Sequence, residues 1–330
     1  MANIKPYRLI FLLGIGALLA FLLYVLSSNK TWNMVERSVK LRVPIVGEKV
    51  GFPIRWTTGG MFILARQKNY DVIATLYNPL TSSARTVTNI AQTISNFDCN
   101  DWRVYAHSNW VVLDSISETN SVSLLFDLDH ATVITNRSIG FLHGNLFWMP
   151  TELAWLRICG SRIRIERMNG GEQNVLNEMF KPTFPIGFLK NYVFACATND
   201  LIQSGKNVSP YPETIKVEFW NLEALPKLLA TKTVRIKGDK IVMGVASEQG
   251  DRILWICFHQ LPFPSFSFSD GSFSPRYDIR LYISSNNTDC FNYIGSFTST
   301  DEFPHIQWLS NGTGLLYEYN GEFYIYLLAK

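Results

Sequence analysis

Charge is what this sequence has least of. Of its 330 residues only 17% are Asp, Glu, Lys or Arg, against the roughly 25% usual in soluble domains. The net charge of +3 is spread without a basic block. Neutralising a phosphate backbone takes a concentrated basic face, so nucleic acid is not an expected partner. Cysteine is sparse as well. Cys99, Cys159, Cys196, Cys257 and Cys290 are odd in number and include no C-x-x-C pair, a set that builds neither a disulfide framework nor a zinc site. No G-x-S-x-G, H-E-x-x-H, P-loop or G-x-G-x-x-G motif occurs. No cofactor is expected, and no catalytic residue can be named.

Apolar residues, by contrast, make up 47% of the chain and aromatics 14%. Flat and β-branched side chains pack well on a pleated surface, so this excess points to strands. Residues 9–26, LIFLLGIGALLAFLLYVL, carry no charge. At about 1.5 Å per residue they reach about 27 Å, close to the thickness of a bilayer core. We expect residues 1–8 to be a short basic segment, 9–27 a transmembrane helix or signal anchor, 28–37 a linker and 38–330 one β domain. A cleaved signal peptide is the alternative, but its apolar region is usually shorter. Lys5 and Arg8 favour a cytoplasmic N-terminus and an extracytoplasmic domain, whereas Lys30, Arg37, Lys40 and Arg42 pull the other way. Asn29, Asn136, Asn207, Asn286 and Asn311 each open an Asn-X-Ser/Thr triplet, a number chance alone could supply in so Asn-, Ser- and Thr-rich a chain.

One pattern recurs: a short apolar strand, a tight polar turn, and a second apolar strand. Its clearest copy is HIQWLSNGTGLLYEYNGEFYIYLL at 305–328, where Asn-Gly between alternating hydrophobics signals a hairpin. Further copies lie at 52–66, 103–116, 145–159, 184–197 and 241–258. The second strands recur every 40 to 60 residues or so, the range of four-stranded propeller blades. The last copy is one strand short, and SVKLRVPIV at 38–46 has no blade of its own. Pairing the two would close a ring and remove both sheet edges. The expected fold is therefore all-β: a six-bladed β-propeller preceded by one N-terminal transmembrane helix, with a β-sandwich as the alternative.

In QWLSNGTGLLYEYNGEFYIY the last copy resembles the W-S-x-D-G-x-x-L-x-Y pattern of TolB-type propellers, with Asn311 where that family prefers Asp. A ring closed by an N-terminal strand is similarly the arrangement of WD40-type and TolB-type propellers. The resemblance spans roughly residues 38–330 and implies an architecture.

Chemistry is thinly signalled. His107, His130, His143, His259 and His305 are scattered among the copies. The densest polar cluster, Asp-Leu-Asp-His at 127–130, reads as a solvated turn as readily as a Ca²⁺ site. The strands expected to line the channel, PIRW, RVYA, LFWM, PIGF, VMGV and HIQW, contain no Asp or Glu, whereas a glycosidase needs paired carboxylates. Loop length is the other irregularity. Insertions at 199–213 and 261–276 join the second and third strands of neighbouring copies and carry Tyr211, Phe263, Phe266, Phe268 and Phe273. We expect these rings to form an aromatic lip for a protein partner or glycan, or else to fold back over the blade. The expectation is a membrane-anchored protein-binding or assembly module, with an extracytoplasmic hydrolase such as a glycosidase as the alternative.

Overall fold

The computed structural model describes residues 16, 34–42, 48–66, 72–79, 81–95, 102–115, 122–130, 132–138, 145–149, 154–159, 162–167, 172–174, 184–190, 193–198, 212–222, 226–261, 265–266, 273–274, 277–286, 290–298, 305–309, 312–319 and 321–328. The segment expected to span a membrane lies outside them except for Gly16, which is helical. Among the described residues no helix is long and apolar enough to cross a membrane.

The fold is all-β. A single turn of 3₁₀-helix, Val35–Arg37, leads into β1 (Val39–Leu41). The first meander is β2 (Glu48–Thr57), β3 (Gly60–Arg66), β4 (Val72–Asn78) and β5 (Ser83–Thr86), followed by helix α1 (Thr88–Ser95). The second is β6 (Trp102–His107), β7 (Trp110–Ser115), β8 (Val122–Asp127) and β9 (Thr132–Ser138). The third is β10 (Asn145–Met149), β11 (Ala154–Cys159), β12 (Arg162–Arg167) and β13 (Glu172–Asn174). The fourth is β14 (Phe184–Phe188), β15 (Val193–Thr198), β16 (Thr214–Asn221) and β17 (Lys227–Arg235). In the fifth, β18 (Lys240–Ala246) and β19 (Arg252–Gln260) are separated from β22 (Tyr277–Ser285) and β23 (Phe291–Thr298) by a two-stranded ribbon, β20 (Ser265–Phe266) with β21 (Phe273–Ser274). The chain ends in β24 (Ile306–Trp308), β25 (Gly314–Tyr319) and β26 (Glu322–Leu327).

That last meander has three strands of its own, and β1 supplies the fourth: Val39 pairs with Ile325, Lys40 with Tyr324 and Leu41 with Phe323. The strand left over at the N-terminus thus completes the sheet that lacked one. Side chains secure the seam. The Met34 side chain is fully buried, its N–H donates to Ser296 O at 3.0 Å, and Tyr317 OH donates to Ser38 Oγ at 2.9 Å.

Each meander packs on the next through apolar side chains, which alternate along the strands as a sheet covered on both faces requires. Phe62 and Leu64 meet Val111 and Leu113; Val112 and Leu125 meet Leu146 and Trp155; Met149 and Ile158 meet Phe194 and Trp220. Ala195 and Val217 then meet Ile253 and Trp255, Leu254 and Ile256 meet Leu315 and Tyr317, and Leu316 and Phe323 return to Met61 and Ile63. The order of contacts is cyclic. The first two meanders also share one parallel bridge, Phe52 with Arg103. Helix α1, absent from the expected elements, is short. Ile90 and Ile94, four residues apart on one face, bury it against the first two meanders.

Candidate functional site

The first strands of five meanders converge on a cavity of about 410 Å³. It lies at the hairpin end of those strands, taking Tyr105 to His107 from β6, Ile306 to Trp308 from β24, and the end of β18 with the turn beyond it. Adjacent hairpin turns are tied together there. Thr58 N–H donates to Ser108 O and Lys190 N–H to Gly250 O, each at 3.1 Å.

The wall is apolar for the most part and carries six large rings, those of Tyr105, Phe147, Trp148, Trp155, Phe188 and Trp308. Trp148 and Trp155 are direct cross-strand partners and meet edge to face, with centroids 5.2 Å apart. Trp148 also stacks on the His107 ring at 4.4 Å. Trp308 Nε1–H donates to Val245 O at 3.0 Å, which fixes the indole against the neighbouring meander. Two glycines allow the wall to close. Gly187 has φ +129°, and a Cβ there would stand 3.0 Å from Ala246 Cβ. Gly250 has φ +66°, and its Cβ would strike the Leu189 and Lys190 backbone at 2.7 Å, so a side chain would push apart the turns that carry the site.

Among the described wall residues Glu248 is the one carboxylate. It sits in the turn closed by Gly250 N–H to Ser247 O at 2.9 Å, with Ser247 Oγ donating to Asp251 Oδ1 at 2.8 Å. Its Oε2 comes to 3.6 Å from His107 Nδ1, with side-chain exposures of 21% and 17%. Burial pushes Glu248 up to about 7 and His107 down to about 4. Between those values both groups are neutral, so their contact is not an ion pair, and 3.6 Å is too long for a hydrogen bond. Among the described residues, His107 Nδ1 and Trp155 Nε1 are buried without a hydrogen-bond partner. A second ionisable group on the wall, Tyr105, is raised by burial, with Asp114 adding to it.

Other polar clusters are accounted for locally. In the Asp127–His130 turn, Asp129 N–H donates to Asp127 Oδ1 at 2.9 Å and His130 Nδ1 lies 2.6 Å from Asp127 Oδ2. Burial opposes ionisation of Asp127, but these bonds outweigh it and lower its pKa. Asn109 Nδ2 also donates to Asp129, and Arg85 Nη2 donates to Leu128 O at 3.0 Å, so the cluster is a hydrogen-bonded turn. The fully buried Asp239 is held by His259, Arg280 and Tyr282. Among the described residues no three His, Cys, Asp or Glu side chains converge as metal ligands. Cys196 and Cys257 are buried free thiols and Cys290 is an exposed one. Burial pushes Cys196 up to about 12 and Cys257 higher still, so neither supplies a thiolate near neutral pH.

Of the rings assigned to the aromatic lip, Tyr211, Phe263 and Phe268 lie outside the described residues. Phe266 and Phe273 pair directly across the β20–β21 ribbon. That ribbon connects β19 to β22, so it leaves the antiparallel sheet at the opposite end of the strands from the cavity. Five of the six strands that sequence reasoning expected to line a channel line this cavity, PIRW at 53–56 not being among its described wall residues. Glu248, which enters from a polar turn two residues beyond β18, was not foreseen.

No family profile matches the chain, and no curated protein matches it. Solved structures do. U3-55K aligns at 7% identity and a TM-score of 0.52, over 88% of this chain and 98% of that one. A chain of the mitotic checkpoint complex aligns at 10% identity and 0.49, over 89% and 94%. TolB from Acinetobacter baumannii aligns at 14% identity and 0.48, over 82% of this chain and 63% of that one, so this chain spans less than two thirds of TolB. The likeness is one of fold. It is a weak propeller-type resemblance, and it rests on U3-55K.

Proposed function

We propose that this chain is a six-bladed β-propeller, closed by β1, that acts as a protein-binding or assembly module held to a membrane by residues 9–27, with the propeller on the extracytoplasmic side. One observation carries the binding reading: five meanders line a single cavity at the hairpin end, and four of them contribute aromatic side chains to it. A concave apolar wall with a few convergent polar groups is the usual form of a binding site. The cyclic order of contacts and the β1–β26 pairing support the ring. The uncharged length of residues 9–26 supports the anchor. The same proposal gives Tyr211, Phe263, Phe266, Phe268 and Phe273 the role of a second contact, for a protein or glycan.

The test is capture of a partner by the detergent-solubilised full-length chain after chemical cross-linking. Recovery of one stoichiometric partner, lost on mutation at the cavity or of Phe266 and Phe268 together, supports the module; a chain that captures nothing argues against it. The anchor is tested by the same protein's resistance to alkaline extraction and by its mature N-terminus, which would begin near Ser28 if the helix were removed. The hydrolase reading draws on the Glu248 carboxyl at about 7, a value suited to a general acid near neutral pH. A glycosidase also needs a second carboxylate within about 5–10 Å, and the described wall supplies aromatic rings in its place.

A further inference from the structure

Taking a carboxyl even partly out of water without a partner is costly, and the Glu248 side chain is only 21% exposed. Among the described residues it makes no hydrogen bond; its Oε2 stands 3.6 Å from His107 Nδ1. Yet the turn that delivers it is built with care, through the Ser247–Asp251 bond and the tight approach of Gly250 to Leu189. No Lys or Arg is among the described wall residues; Arg103 is hydrogen-bonded to the wall residue Tyr105. The remaining wall is rich in π-faces, which attract cations electrostatically.

From this geometry we infer that the cavity receives the guanidinium of an arginine side chain on a partner protein, its plane against the aromatic wall and its N–H groups directed at the Glu248 carboxylate. The assignment rests on the protein-binding reading and names the chemistry of the contact. Arginine suits the site better than lysine. A guanidinium is planar, weakly hydrated and stacks on aromatic rings, whereas an ammonium keeps its water and has no face to stack. The bound cation would favour the ionised carboxylate, so binding below the Glu248 titration releases a proton. The titratable groups facing Glu248 among the described residues are His107 and Tyr105, both on β6; β10, β14 and β24 contribute none. Affinity should therefore rise between pH 6 and 8 and then level off.

The experiment titrates the solubilised full-length chain with N-acetyl-arginine amide and with N-acetyl-citrulline amide, its uncharged isostere, by calorimetry or tryptophan fluorescence. The expected result is saturable binding of the arginine compound, at least tenfold tighter than the citrulline compound, with Glu248→Gln abolishing that preference. Equal binding of the two compounds, no binding of either, or a preference that survives Glu248→Gln overturns the inference. The wild-type comparison decides even if the variant folds poorly. A captured protein partner that Glu248→Gln leaves bound ends the arginine assignment while the binding module stands. Arginine binding by a chain that captures no protein removes the module reading instead.

Discussion

A buried carboxylate and a half-buried one, in neighbouring parts of the molecule, meet opposite treatment. At the junction of the second and third meanders, Asp114 lies beside Arg157, whose side chain is 1% exposed. Arg157 Nη1 and Nη2 both donate to Asp114, the second at 3.1 Å. Its Nε donates to Glu166 at 2.6 Å, and Ser123 Oγ donates to Asp114 at 2.7 Å. Burial opposes the charge on Arg157, but the two carboxylates outweigh it and hold its pKa above the ordinary value. In the cavity, Glu248 has no such partner, and burial alone raises its pKa. A buried charge whose hydrogen bonds are complete belongs to the frame. One left without them is kept at a cost to folding, and that cost is a sign of use.

The largest effect should come from breaking the satisfied cluster. Asp114→Ala leaves Arg157 half-partnered in the interior, a change that typically costs about 3–5 kcal/mol. Denaturant unfolding should show a loss of that order. Replacing Asp114, Arg157 and Glu166 together with apolar residues of similar volume should recover most of it, because the desolvation penalty goes with the charges. A small loss in the single variant would mean the cluster is not a strut, and the comparison would fail.

Glu248→Gln should act in the opposite direction, and only on one side of the pH scale. In the unfolded chain the carboxyl ionises near its model value of 4.5, while in the fold it stays protonated up to about 7. The folded state therefore holds the extra proton, and stability falls as pH rises through that interval. Removing the group should stabilise the protein by on the order of 1–3 kcal/mol at pH 8 and leave it unchanged near pH 4. His107 mirrors this. Its pKa falls from 6.5 to about 4, so the unfolded state binds the extra proton and stability is lost as pH falls through that window. His107→Gln should blunt acid sensitivity and do nothing at pH 8. Thermal melts of the two variants at pH 4, 6 and 8 distinguish a cavity that strains the fold from one that supports it.

What the sequence made legible follows the same division between local and distant causes. The last two hairpins could be read because turn chemistry and alternation are local: Gly321, at φ +74°, closes the β25–β26 turn. The pairing of β1 could be read because a strand with alternating apolar residues and no neighbour must find one. The outer strands were harder. All four residues of β5, Ser-Ala-Arg-Thr, are exposed, so no apolar period marks it as a strand. Helix α1 is too short for its period to register. Glu248 was the least legible residue of the site. Ser-Glu-Gln-Gly-Asp reads as a solvated turn, and what buries it is a strand from a different meander, far away in sequence.

The smallest effect is expected at an ion pair as short as the buried one between Arg157 and Asp114. Lys40 Nζ lies 2.5 Å from Glu322 Oε1 across the β1–β26 seam, but the two side chains are 53% and 45% exposed. Their hydrogen bond raises the pKa of Lys40 and lowers that of Glu322. Water and salt screen such a pair, and holding two long side chains in one geometry offsets what attraction remains. Lys40→Gln should therefore leave the melting temperature within error at physiological ionic strength, and adding salt should not move the wild type. Tyr317→Phe on the same seam removes the bond to Ser38 from a ring that is fully buried, so it should produce the larger shift of the two. If Lys40→Gln destabilises as much as Tyr317→Phe, exposure is not what separates costly from harmless changes in this fold, and the contrast between Asp114 and Glu248 would need another explanation.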